Sequence, residues 1–77
     1  MDIEVLFFGV LADVTGTGRK HYNYVTSFGD LKHRIEDEFP EIVHYSFRIA
    51  VNNEIVNEEP VLRGGDEVAY LPPFAGG

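Results

Sequence analysis

The sequence has 77 residues, no cysteine and a formal net charge of -7, and 44% of its residues are hydrophobic. This length allows one domain, and the lack of cysteine excludes disulfides and cysteine-ligated zinc as stabilising elements. The hydrophobic content is that of a folded chain, whereas the acidic balance argues against nucleic-acid binding and favours basic partner proteins.

The N-terminal segment predicts two strands. Residues 1–4 lack the basic segment and the apolar run of a signal peptide or membrane span, so we expect a cytoplasmic protein with no membrane contact. Residues 3–8 are rich in β-formers and predict a central strand, followed by a helical turn at residues 11–14. Residues 15–20 lack the spacing of a phosphate loop and predict a hairpin connection to an edge strand at residues 21–25.

A helix is predicted between Ser27 and Pro40. Ser27 is expected to be its N-cap, with Asp30 as the acidic member of a capping box, and Pro40 ends the helix. The acids at residues 36–38 lie where the helix dipole disfavours them, and we interpret them as solvated surface. Apolar residues recur at helical spacing along one face, namely Phe28, Leu31, Ile35 and Phe39.

The C-terminal half predicts three further strands, at residues 47–51, 54–56 and 67–71. Asn52 and Asn53 supply a turn whose residues tolerate positive φ, and Pro60 indicates a loop at residues 57–62. This order of elements predicts an α+β domain over residues 1–71, with one main helix packed across one face of a sheet. We expect its core to comprise Ile3, Val5, Phe7, Phe28, Leu31, Ile35, Ile49, Val51, Val68 and Tyr70.

Residues 72–77 predict an extended, flexible tail. Pro72 and Pro73 offer no N–H to a neighbouring strand and favour a stiff exit, and six extended residues span on the order of 20 Å. Gly76 and Gly77 have no side chains, so the segment fits a narrow channel. We expect the α-carboxylate of Gly77 to be the reactive group. The residues that precede it are expected to lie in a partner's channel, namely Pro72, Pro73, Phe74, Ala75 and Gly76.

A partner surface is predicted on the sheet face opposite the helix. If the first and last strands run parallel side by side, the row Glu4, Leu6, Phe8 lies beside the row Glu67, Ala69, Leu71. Both rows change from acidic to apolar towards the tail. We expect Phe8, Leu71 and Ile55 to form an exposed apolar patch, ringed by acids, that docks on a partner. The alternative is that a loop or the short strand covers these side chains.

No other pattern indicates catalysis or metal binding. His21, His33 and His44 are not at metal-ligand spacing, and neither Ser27 nor Ser46 has an identifiable His-acid arrangement. Without cysteine there is no thiol nucleophile. We therefore expect no metal, no bound cofactor and no catalytic activity of the domain alone.

The segment from Gly65 to Gly77, G-D-E-V-A-Y-L-P-P-F-A-G-G, resembles the C-terminus of the ubiquitin-like β-grasp sulfur carriers of the MoaD/ThiS family. It is most similar to the small subunits of molybdopterin synthase, because of Pro72-Pro73. The strand at residues 5–8, the helix after Ser27 and the segment 50–52 are similar landmarks in the same order. The Gly-Asp-Glu block and the Val-Asn turn are shared with the carriers of the thiamin pathway and with archaeal modifiers.

The resemblance implies a ubiquitin-like β-grasp in which the first and last strands are parallel and adjacent. It also implies activation of Gly77 by an E1-like adenylyltransferase that uses ATP, because an ionised carboxylate is a poor electrophile. A sulfur donor protein then makes the thiocarboxylate, and the large subunit of molybdopterin synthase uses its sulfur for dithiolene formation in molybdenum cofactor biosynthesis. Two alternatives stay open. The first is a carrier with the same activation chemistry but another acceptor, either in thiamin thiazole synthesis or in protein modification. The second is a β-grasp interaction module with an inert tail.

Overall fold

The computed structural model describes residues 1–73 and contains a five-stranded mixed sheet with helices on one face. The strands are β1 (Ile3–Phe7), β2 (Arg19–Tyr22), β3 (Arg48–Val51), β4 (Glu54–Val56) and β5 (Glu67–Leu71), in the spatial order β2-β1-β5-β3-β4. Helix α1 (Val10–Thr15) follows β1, helix α2 (Phe28–Glu38) follows β2, and a 3₁₀ helix, η1 (Pro40–His44), leads towards β3.

The first and last strands are parallel neighbours, and the other strand pairs are antiparallel. The prediction of a ubiquitin-like β-grasp is therefore confirmed. Parallel strands end at the same edge of a sheet, so β1 and β5 bring Phe7 and Tyr70 together. This pairing sets the position at which the tail leaves the domain.

The core lies between α2 and the helix-facing side of the sheet. Seven of the predicted core residues are buried, whereas Phe28, Ile49 and Val51 are partly buried and pack against them. The structure adds core residues from short elements and connections: Leu11, Tyr22, Val25, Ile42 and Leu62. Each of these segments contributes a single buried apolar side chain, so no apolar periodicity in the sequence indicates it.

The predicted position of the second strand is wrong. The strand is Arg19–Tyr22 rather than residues 21–25, and its register pairs Leu6 with Arg19 and Ile3 with Tyr22. Arg19 and Lys20 belong to the predicted connection of residues 15–20, but both lie in β2, and Lys20 extends along the helix-facing side to reach Glu38 of α2. The segment between α2 and β3, for which no element is predicted above, contains η1.

The acidic C-terminal end of α2 has a structural role at Glu38. The Glu38 carboxylate accepts a hydrogen bond from the Tyr22 hydroxyl at 2.8 Å and pairs with the Lys20 ammonium. The Lys20 ammonium lowers the pKa of Glu38, which means that the fold favours its ionised form. Glu38 therefore ties edge strand β2 to α2, and this interaction offsets its unfavourable position in the helix dipole.

The predicted N-cap of α2 is confirmed, with a small difference in the capping box. Ser27 Oγ accepts a hydrogen bond from the Asp30 backbone N–H at 3.0 Å. The Asp30 carboxylate accepts from the Thr26 backbone N–H at 3.0 Å, one residue before the cap. This N–H, together with the Arg34 guanidinium at 3.1 Å, lowers the pKa of Asp30. These two hydrogen bonds link the first turn of α2 to the residues immediately before it and fix the start of the helix.

The Asn52–Asn53 turn has the predicted positive φ angles, 49° and 71°. Asn52 also joins this turn to the start of β5: its side-chain oxygen accepts from the Glu67 N–H and its amide donates to Asp66 Oδ1, both at 3.0 Å. The Asn52 amide is the main cause of the lowered pKa of Asp66, and the Arg63 backbone N–H adds to it. The Val-Asn turn and the Gly-Asp-Glu block of the sequence are therefore in direct contact.

Candidate functional site

The root of the tail is built by the ends of β1 and β5. Strand β5 ends at Leu71, and Pro72 and Pro73 follow it outside the ladder. The Phe8 backbone N–H donates to the Tyr70 carbonyl at 3.1 Å, which extends the pairing of β1 with β5 to the last residues before the prolines. The exit of the tail is therefore fixed by hydrogen bonds to the neighbouring strand.

Gly9 supports this exit from the β1 side, a role that the sequence did not reveal. Its φ of 57° and ψ of -132° lie in a region that side chains disfavour. A Cβ on Gly9 would lie 3.0 Å from Cγ of Pro72, so the proline ring packs directly on the glycine. A glycine between a strand and a helix is a signal of such a turn, but the contact with Pro72 depends on the tertiary fold.

An aromatic cluster lies behind the tail root. Tyr70, which is 1% exposed, has its ring centroid 5.4 Å from that of Phe7 and 4.8 Å from that of Phe47. Phe7 in turn contacts Phe39 edge to face, with centroids 5.9 Å apart. Burial raises the pKa of the Tyr70 hydroxyl, so this residue stays neutral. The cluster provides a rigid support for the last residues of β5.

The outer face of the sheet carries the predicted patch residues. Phe8 is 45% exposed and Ile55 is 46% exposed, whereas Leu71 is half-buried. The register places a row of Leu6, Ala69, Ala50 and Ile55 across β1, β5, β3 and β4. Within residues 1–73 no loop covers Phe8 or Ile55, and the role of the three residues in binding a partner remains a prediction.

The charges around this patch include a cation as well as the expected acids. Glu4 and Glu67 are neighbours at the end of β1 and β5 that lies away from the tail. Glu4 contacts His21 Nδ1 at 3.0 Å, and this hydrogen bond raises the pKa of the histidine. Beside Leu71 the register places a cation, Arg48. Arg48 adds a cation to the predicted acids, because the sequence did not show which residue of β3 lies beside Leu71.

The remaining predicted site residues, Phe74, Ala75, Gly76 and Gly77, lie outside the described residues. Their roles, and the division into a domain of residues 1–71 and a tail of residues 72–77, remain predictions. Within the described part of the chain, no group of three or more His, Asp or Glu side chains is arranged to hold a metal ion. No helix in residues 1–73 is both long enough and apolar enough to cross a membrane.

Comparisons with known proteins agree with this fold. The model of the ThiS family matches residues 5–77. The molybdopterin synthase sulfur carrier subunit of Mycobacterium tuberculosis is 32% identical over 80 residues, covering 97% of this chain and 96% of that protein. A complex of subunits 1 and 2 of molybdopterin-converting factor from Helicobacter pylori contains a chain with a TM-score of 0.76 and 24% identity, with full coverage of both chains. SAMP1 of Haloferax volcanii has a TM-score of 0.80 and 21% identity, also with full coverage of both.

Proposed function

The chain belongs to the ThiS family of ubiquitin-like sulfur carriers, and we propose that it is the sulfur-carrier small subunit of molybdopterin synthase. The observation that carries this proposal is its 32% identity to the Mycobacterium tuberculosis carrier subunit, which extends over 97% of the chain. The Pro72-Pro73 exit, which distinguishes this branch in the sequence, directly follows the last strand.

The proposed reactive group is the α-carboxylate of Gly77, to which the family model extends. A carboxylate with a reference pKa of ~3.3–3.7 is ionised at neutral pH and resists attack by a nucleophile. An E1-like adenylyltransferase would join one carboxylate oxygen to the α-phosphorus of ATP and release pyrophosphate. Sulfur at the sulfide level, supplied by a sulfur donor protein, would then attack the acyl carbon and displace AMP, which leaves the thiocarboxylate. ATP is a substrate of the activating enzyme, and the chain itself is the sulfur carrier.

The rigid root of the tail supports this role. Phe8 holds Tyr70 by a backbone hydrogen bond of 3.1 Å, and Gly9 packs on the Pro72 ring. A carrier that must place its terminus in a partner's cleft benefits from a fixed direction of exit, since less freedom is lost on binding. The partner, in our proposal the large subunit, supplies the catalytic residues for sulfur transfer to a pterin precursor.

The outer face of the sheet supplies a docking surface in our proposal, with Phe8 and Leu71 at the tail root and Ile55 in the row of Leu6 and Ala69. Exposed apolar side chains beside a site of action are typical of protein interfaces. In our proposal the patch binds the large subunit while the tail enters its active site. The Helicobacter pylori complex of the two subunits of molybdopterin-converting factor provides a precedent in a chain of the same fold.

A test of the acceptor separates this function from that of the thiamin pathway and from protein modification. The thiocarboxylated chain is incubated separately with the purified large subunit and pterin precursor, with thiazole synthase and its substrates, and with cell extract. Our proposal predicts sulfur in the pterin and none in a thiazole, with no covalent conjugates in the extract. Sulfur transfer to the thiazole alone, or conjugates without a sulfurated pterin, would contradict it.

A further inference from the structure

Arg48 lies on the outer face of the sheet, directly beside the root of the tail. It is the first residue of β3, and the register pairs it with Leu71, the residue before Pro72. Opposite residues of an antiparallel pair present their side chains on the same face. Phe8, Leu71 and Arg48 therefore form one row across the ends of β1, β5 and β3, which we call the docking strip.

The guanidinium of Arg48 retains free hydrogen-bonding capacity. Its Nη2 donates to Asn57 Oδ1 at 2.8 Å, a neutral partner. Within residues 1–73 no carboxylate lies at ion-pair distance from it, whereas Arg19 pairs with Glu4 and Arg34 pairs with Asp30. A guanidinium has five N–H donors in a planar fork that fits a carboxylate. Arg48 is thus suited to bind an acceptor from another molecule.

The acids of the outer face are too distant to neutralise Arg48. Glu4 and Glu67 are four residues from Phe8 and Leu71 along their strands, which corresponds to about 13 Å. Glu4 is also occupied by His21 at 3.0 Å and by Arg19 at 3.7 Å. Glu58 and Glu59 line the same cleft as Arg48, but neither forms an ion pair with it. The tail root therefore carries a cation that has no ion-pair partner within residues 1–73.

We infer that the protein which receives the tail presents a carboxylate to Arg48, next to an apolar pocket for Phe8 and Leu71. This inference rests on the proposed function and adds the chemistry of the partner surface. A guanidinium-carboxylate pair that loses water on docking is a strong, directional contact and fixes the register of the two proteins. At the tail root the partner surface then presents a carboxylate beside an apolar pocket, a local feature that the net charge of -7 does not indicate.

The test is a calorimetric titration of the purified large subunit of molybdopterin synthase, from the same organism, with wild type and variants. Arg48→Glu should weaken binding by about tenfold or more, because it places two carboxylates opposite each other. Arg48→Gln, which keeps the length and removes the charge, should have a smaller effect in the same direction. Thermal unfolding of each variant verifies that it is folded.

Arg63→Glu is the matched control, because it makes the same change of charge at the end of the domain away from the tail. Arg63 is exposed and lies before β5, and we expect its variant to bind like wild type. Equal affinities of wild type and Arg48→Glu would overturn the inference, as would equal losses in Arg48→Glu and Arg63→Glu. Binding of wild type with no dependence on Arg48 would leave the proposed function intact. If wild type neither binds nor gains sulfur, the proposed function fails and the inference fails with it.

Discussion

Gly9 and Pro72 are in direct contact at the root of the tail, with room for no side chain between them. A Cβ on Gly9 would be 3.0 Å from Cγ of Pro72, and the φ of 57° at Gly9 is itself unfavourable for other residues. The end of β1 and the exit of the tail are therefore coupled through one glycine. Any side chain at residue 9 must displace the proline and alter the direction of the tail.

We expect Gly9→Ala to impair sulfur loading more than it impairs folding. Backbone strain of this kind costs ~1–3 kcal/mol, which is measured as a loss in the free energy of unfolding in urea. Gly16→Ala is the control, because Gly16 has a φ of 75° and no atom within 4 Å of a Cβ. Loading at wild-type rate in Gly9→Ala would show that the contact with Pro72 does not position the tail.

Asn52→Ala should destabilise the domain more than Asn53→Ala does. Both residues have positive φ, but Asn52 alone of the two makes side-chain hydrogen bonds within residues 1–73, to Asp66 and to the Glu67 N–H. The difference in the free energy of unfolding should be about 1–3 kcal/mol, the usual cost of a lost polar partner. Equal losses in the two variants would mean that only the backbone conformation of the turn matters.

The stability of the domain should fall in acid through Asp66. Hydrogen bonds from Asn52 and Arg63 lower its folded-state pKa, so at low pH the unfolded chain binds more protons than the folded one. This contribution is complete above the unfolded pKa of ~3.9 and is lost as the pH falls through the lower folded value. Urea midpoints measured from neutral pH down to about pH 2 should fall less steeply in Asp66→Asn than in wild type. An identical pH dependence of both proteins would contradict the assignment.

Phe8→Lys should weaken docking without unfolding the protein. Phe8 is 45% exposed, so a lysine is tolerated there, but its ammonium cannot enter an apolar pocket of the large subunit. We expect a folded chain with at least a tenfold lower affinity in the same titration. Val61→Lys, at a residue that is 90% exposed and lies in the connection before β5, makes the same change of charge and should bind normally. Gross destabilisation of Phe8→Lys would mean that its side chain is covered.

The sequence predicted those parts of the fold in which a local signal and the tertiary structure agree. The Ser27 cap and the spacing of Leu31 and Ile35 located α2, and the Asn52–Asn53 turn located the β3–β4 hairpin. The position of β2 was predicted wrongly because nothing in the sequence indicates that Lys20 pairs with Glu38 of α2. At the site, the exposure of Phe8 follows from strand alternation, since its neighbour Phe7 faces the core.

The contacts of Gly9 and Arg48 could not be predicted in the same way. Each depends on a neighbour distant in sequence, Pro72 for Gly9 and Leu71 for Arg48, and therefore on the register of the sheet. Strand register is fixed by the packed structure as a whole, and a shift of one residue exchanges the two faces. The sequence alone therefore does not place the Arg48 cation at the tail root.

The central claim is that sulfur is carried on the carboxylate of Gly77, and intact-mass measurement tests it most directly. The chain is incubated with its adenylyltransferase, ATP and a sulfur donor, beside a variant that lacks Gly77 and one with a residue added after it. The claim predicts that wild type exchanges one oxygen for sulfur, that fragmentation locates the change at Gly77, and that both variants stay folded but unmodified. No change in the mass of wild type, while the same enzymes load another carrier of the family, would contradict the claim, as would normal loading of the extended variant at its new end.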